Sequence, residues 1–148
     1  RPGGGPGAAR RVTATGRAGE SGLLDTSVVI DLGEIPEDLL PRAVSVSAIT
    51  FAELAAGIHA AVGPRVRAAR LDRLQRLEAA FDPIPFDRGA ARAYGRIHEA
   101  VAALGRSPRR RLADLLIAAT AAAQGLPLYT RDRDAVAGLE DLLDVVLV

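Results

Sequence analysis

Hydrophobic and polar positions alternate along the chain in blocks of two kinds. Short apolar runs of strand type occur at "GLLD" (22–25), "AVSVS" (43–47), "LPLYT" (126–130) and "DVVLV" (144–148). Between them lie longer stretches with helical spacing. "TSVVIDLG" (26–33) starts a short helix that Gly33 and Pro36 end. "ITFAELAAGIHAA" (49–61) is helical, with Thr50 as its expected N-cap. "GPRVRAARLDRLQRLEAAF" (63–81) is amphipathic: Pro64 starts it, and Leu71, Leu74 and Leu77 line one side. "FDPIPF" (81–86) is short and β-like, and its prolines suggest an edge or irregular strand. A further helix is capped at Asp87 and stopped at Gly105, and the basic loop "RSPRRR" (106–111) follows. "LADLLIAATAAAQG" (112–125) is apolar almost all round, and "RDAVAGLEDLL" (133–143) is the last expected helix. This order predicts an α/β fold, a parallel sheet with helices on both faces. Ligands in such sheets sit beyond the carboxyl ends of the strands.

The first 22 residues break the pattern. They are rich in Gly, Pro and Arg and hold almost no large apolar side chain, so a flexible tail is expected there, with the folded domain over 23–148. The formal net charge of +1 divides into +3 for this segment and −2 for the rest, so a polyanion has to be held by local Arg clusters. The 148 residues, 49% of them hydrophobic, suffice for one core. Cys is absent and His occurs twice, which excludes a disulfide framework and thiolate metal sites. His59 and His98 read as surface or packing residues. No apolar run is long enough to span a bilayer and no apolar leader is visible, so the expectation is a cytoplasmic protein without membrane contact.

The strand ends carry acids. Asp25 follows the first strand, Glu53 lies early in the helix after the second, and Asp132 and Asp134 follow "LPLYT". Each alone also fits a structural role: Asp25 and Asp132 as helix caps, Glu53 in a capping box with Thr50, and Asp134 at a helix N-terminus. Asp114 is harder to explain that way. Its neighbours on the helix face are Ile117, Ala118 and Ala121, and a buried carboxylate there needs a partner, which Arg109 to Arg111 could supply. Carboxylates about 4 Å apart repel by roughly 4 kcal/mol at an effective dielectric of 20. Arg or a hard divalent ion, Mg²⁺ or Mn²⁺, would neutralise such a cluster. Hydroxyls of Thr26, Ser27 and Thr130 lie at the same edge. Arg106, Arg109, Arg110, Arg111 and Arg131 are placed to contact phosphates. Together these features suggest metal-assisted phosphodiester hydrolysis.

"LLDTSVVID", "VSAITFAEL", "ADLLIAATAAAQGLPLYTRD" and "VVLV", in this order, resemble the PIN-domain ribonucleases, and among them the VapC-type toxins of bacterial toxin–antitoxin pairs. The resemblance covers nearly all of 23–148. It implies a three-layer α/β/α sandwich on a parallel sheet of about five strands, and cleavage of RNA with Mg²⁺ or Mn²⁺. It also implies homodimerisation and neutralisation by a small VapB-like antitoxin, with helices 49–61 and 63–81 as the expected groove. The family's acids fall on Asp25, Glu53, Asp114 and Asp132, where relatives often carry Asn at the last; Asp134 matches an additional acid of some members. Asp25, Asp114, Asp132 and Asp134 are then the implied metal ligands. Two other readings stand beside this one. A phosphoacceptor or phosphatase domain would rely on a Lys, which the chain lacks, while a dimeric protein-binding module would use its acids only as caps.

Overall fold

The structure, a computed structural model, describes the backbone of residues 13–14 and all of residues 19–148. Five parallel strands form one sheet: β1 (Thr13–Ala14), β2 (Ser21–Leu24), β3 (Ala43–Val46), β4 (Leu128–Thr130) and β5 (Val145–Leu147). Their order across the sheet is β1-β5-β4-β2-β3. β2 pairs with β3 on one side and β4 on the other, so the direction of winding reverses between β2 and β4. Their carboxyl ends therefore flank the crevice in which open α/β sheets bind ligands.

Alternation along β2 sends successive side chains to opposite faces, and each face has its own core. Leu23 packs with Leu128, Val145 and helices α4 (Arg88–Ala103) and α5 (Leu112–Gln124) through Ile97, Leu115 and Ile117. Leu24 packs with Val46, Tyr129 and helices α1 (Thr26–Ile30), α2 (Ala48–His59) and α3 (Pro64–Ala80) through Val28, Leu54, Leu74 and Leu77. The result is the expected three-layer α/β/α arrangement. α5, apolar almost all round, is accordingly buried from Leu115 through Ala121 apart from Leu116.

Four local expectations are corrected. The strand expected over 81–86 is a single bridge, in which Ile84 donates to the Val46 carbonyl at 2.9 Å and accepts from Ala48 N–H at 2.9 Å. Prolines at 83 and 85 remove the donors a longer ladder needs. The fifth strand is instead β1, inside the segment expected as a tail, and β2 starts at Ser21 rather than 22. The rest of the expected tail, 1–12 and 15–18, lies outside the described residues. The stretch 133–143 holds one 3₁₀ turn, Asp134–Val136, and Gly138 at φ 86° breaks the helical path after it. The basic segment 106–111 is not an open loop, since Pro108–Arg111 form a 3₁₀ turn that runs into α5.

The N-cap of α2 is Ser47, not Thr50. The Ser47 hydroxyl accepts from Thr50 N–H at 3.1 Å, and both residues are fully buried. Replacing Ser47 by Ala is expected to cost about 1 kcal/mol, read from the urea midpoint at unchanged m-value. An unshifted midpoint would show that the cap contributes nothing.

Candidate active site

β2 ends where its last backbone group is still paired: Asp25 N–H donates to the Tyr129 carbonyl at 3.0 Å. The Asp25 side chain, 7% exposed, then turns over the start of α1. One carboxylate oxygen accepts from Val28 N–H at 3.1 Å and from the Ser27 hydroxyl at 2.6 Å; the other accepts from the Thr130 hydroxyl. Asp25 is therefore a helix cap and, in the same position, a carboxylate locked between the two central strands. Thr130 extends the lock by accepting from Asp132 N–H at 3.0 Å.

Glu53 reaches the same edge from α2. Its carboxylate accepts from the Thr26 hydroxyl at 2.5 Å, and Thr26 lies 3.2 Å from the Thr50 hydroxyl. The capping box expected between Thr50 and Glu53 does not form. With Ser47 as the cap, Thr50 moves inside the helix and its hydroxyl joins this network, a role that the spacing of "SAIT" (47–50) signals in hindsight.

Asp114 and Asp132 approach from the other layer. Arg111 links them, donating to Asp132 at 2.7 Å with the same nitrogen 3.8 Å from Asp114. The other Asp132 oxygen accepts from the N–H groups of Asp134 and Ala135 at 3.0 and 3.1 Å. The Arg111 hydrogen bond, with these N–H donors, holds the Asp132 carboxyl below its ordinary range. Asp114 goes the other way. Burial raises its pKa first, and the charges of Glu53, Asp25 and Asp132 add to it, while Arg111 opposes them. Asp25, Glu53 and Asp132 thus all raise the cost of ionising Asp114 at the switch edge of the sheet.

Among the described residues, no three of these side chains converge as a closed set of metal ligands. The contacts supply a reason: both Asp25 oxygens are engaged by local donors, and Arg111 holds Asp132. The donor chemistry still fits a hard divalent cation. Every donor is oxygen, three of the carboxylates are held by hydroxyl, amide or guanidinium donors, and Asp114 carries a charge penalty that a cation would relieve. Asp134 lies one step out, on the lining of the adjoining cleft.

That cleft, of about 890 Å³, runs from Asp114 between the end of α4 and the 3₁₀ turns, with Arg106, Arg110 and Arg111 on its walls. Arg106 donates to the Asp134 carbonyl at 2.9 Å. Arg109 sits exposed on the 3₁₀ turn. Arg131, expected beside a phosphate, is turned away to Asp31 at 2.6 Å.

A parallel sheet whose central strands end in locked carboxylates and hydroxyls defines an α/β protein with an acidic, oxygen-lined crevice. The PIN domain family matches residues 22–138. The ribonuclease VapC5 of Mycobacterium tuberculosis is 41% identical over 117 residues, spanning 77% of this chain and 84% of the relative. Ribonuclease VapC4 of the same organism is 34% identical over 116 residues, 76% and 86% of the two chains. The crystal structure of VapBC-5, a VapBC toxin–antitoxin system of M. tuberculosis, superimposes with a TM-score of 0.76 at 37% identity, covering 87% of this chain and 99% of the other. The chain belongs to the PIN-domain family, on its VapC ribonuclease branch.

Proposed function

We propose that this protein is the toxin of a type II toxin–antitoxin pair and hydrolyses RNA phosphodiester bonds as a divalent-metal-dependent endoribonuclease. The observation that carries the reading is the placement of Asp25, Glu53, Asp114 and Asp132 at the switch point of the sheet, with Asp25 and Glu53 held by hydroxyls and Arg111 between Asp114 and Asp132. A protein-binding scaffold gains nothing from an acid such as Asp114, whose environment opposes its ionisation.

In this reading Asp25, Asp114 and Asp132, with Asp134 at the rim, hold Mg²⁺ or Mn²⁺, and Glu53 completes the acid set. A cation bound there would activate water and neutralise charge on the scissile phosphate. The chain's own groups do the rest. Ser27 and Thr130 fix the Asp25 carboxylate, and Thr26 fixes Glu53, so neither acid must reorganise when substrate arrives. Arg110 and Arg106 on the cleft wall offer guanidinium groups to the RNA backbone, contacts that hold register without reading sequence.

The partners are an RNA, a second copy of the chain and a VapB-like antitoxin, in the cytoplasm. No described helix is long and apolar enough to cross a membrane. The antitoxin is expected at the groove of α2 and α3; a neighbouring cleft of about 440 Å³ between α1 and α3, with Val29, Ile30, Leu77 and Phe81 among its walls, offers further apolar surface.

The test mixes purified, antitoxin-free protein with labelled RNA and Mg²⁺. Endonucleolytic cleavage that EDTA abolishes and added Mn²⁺ restores is expected. Intact RNA under every condition, or cleavage indifferent to EDTA, would reject the proposal.

A further inference from the structure

We infer that Arg111 is the site's own counter-cation: its guanidinium competes with the divalent ion for Asp132 and Asp114 and has to let go for the ion to bind. This rests on reading the four acids as a metal site, and goes beyond it by assigning a regulating role to a residue outside the acid set.

The geometry decides which partner moves. Asp132 is fixed from behind, with one oxygen held by the N–H groups of Asp134 and Ala135, while the other receives Arg111 at 2.7 Å. The Asp114 backbone is fixed by its place in the first turn of α5, a helix buried at Leu115 and from Ile117 through Ala121. The Arg111 backbone is also fixed, closing the 3₁₀ turn Pro108–Arg111 at the N-cap of α5. What is left free to move is the long Arg111 side chain, 37% exposed, at the mouth of the cleft. Its contact with Asp114, at 3.8 Å, is an ion pair without hydrogen-bond length, so one guanidinium serves two carboxylates unequally. A divalent ion supplies more charge to the same oxygens. The released guanidinium then has the cleft wall beside Arg110 within reach, where an RNA phosphate is the anion on offer.

A neutral side chain at 111 should therefore make cation binding tighter, whereas loss of a mere structural contact would leave it unchanged or weaken it. Mn²⁺ binding to RNA-free protein, followed by the electron-spin-resonance signal of free Mn²⁺, separates these. R111Q and R111M are expected to bind Mn²⁺ about tenfold more tightly than the parent, the effect of removing a unit charge close to the ion. R111K, which keeps the charge, is expected to stay within about threefold of the parent. Circular dichroism checks that each variant is folded, and two neutral variants guard against one failing to fold. Saturable binding by the parent with no tightening in either neutral variant overturns the inference and leaves the metal site standing. A parent that binds no Mn²⁺ overturns both.

Discussion

Asp114→Asn is expected to lower RNA cleavage by at least about 10³-fold while raising the melting temperature of the protein measured in EDTA. The two effects have one cause. Burial and three neighbouring acids hold the Asp114 carboxyl above its ordinary pKa, so the folded protein binds that proton more tightly than the unfolded chain does. Below the ordinary value both states are protonated and nothing is lost. As pH rises through the raised value the folded state comes to bear the full penalty. Asn keeps the shape and removes the charge. Solvent screening at a carboxylate 37% exposed limits the gain to about 1 kcal/mol, or 2–4 °C. Asp132 has the opposite sign. Its pKa is lowered, so its ionised form stabilises the fold at neutral pH, and this is lost as pH falls through that lowered value. Asp132→Asn is expected to lose cleavage and to melt earlier. Thermal melts in EDTA beside a cleavage assay read both. An Asp114→Asn protein that still cleaves, or that melts below the parent, contradicts the account.

Gly22→Ala is expected to destabilise the fold by about 3 kcal/mol, more than loss of the α2 cap. A Cβ at Gly22 would lie 2.3 and 2.6 Å from two ring carbons of Tyr129, and 3.2 Å from Pro41. Tyr129 cannot step aside. It is 1% exposed, and its hydroxyl accepts from Gly19 N–H at 3.0 Å. Since β2 and β4 carry Asp25 and Thr130 on their ends, separating the strands also loosens the site. The check is a double-mutant cycle by urea unfolding, in which Tyr129→Leu should recover part of the loss. Full additivity of the two changes would show that the ring is not the obstacle.

Much of this was legible in the chain. The alternation of apolar runs with helical spacing set the parallel α/β architecture, and acids at strand ends marked the switch edge, because both signals are local and periodic. What escaped depends on contacts between distant segments. Gly22 reads as an ordinary strand boundary until Tyr129 is laid across it. Thr50 and Ser47 both suit a cap, and the choice is made by the pairing of "VSVS" with β2 and Ile84 rather than by propensity. The five arginines look alike in sequence. Folding sends Arg131 to Asp31, Arg106 to the Asp134 backbone and Arg111 into the acids. The 133–143 stretch has a helical pattern but contains Gly138 in a left-handed turn, and one 3₁₀ turn is all that forms.

The central claim is that the acid set of Asp25, Glu53, Asp114 and Asp132, with Asp134 at its rim, holds a divalent cation. Anomalous diffraction from a crystal grown with Mn²⁺ tests it most directly. The account expects a Mn²⁺ peak with carboxylate oxygens of Asp114 and at least one of Asp25, Glu53 and Asp132 at inner-sphere distance, about 2.1 Å. Mn²⁺ bound elsewhere, with these four acids arranged around no ion, would contradict it.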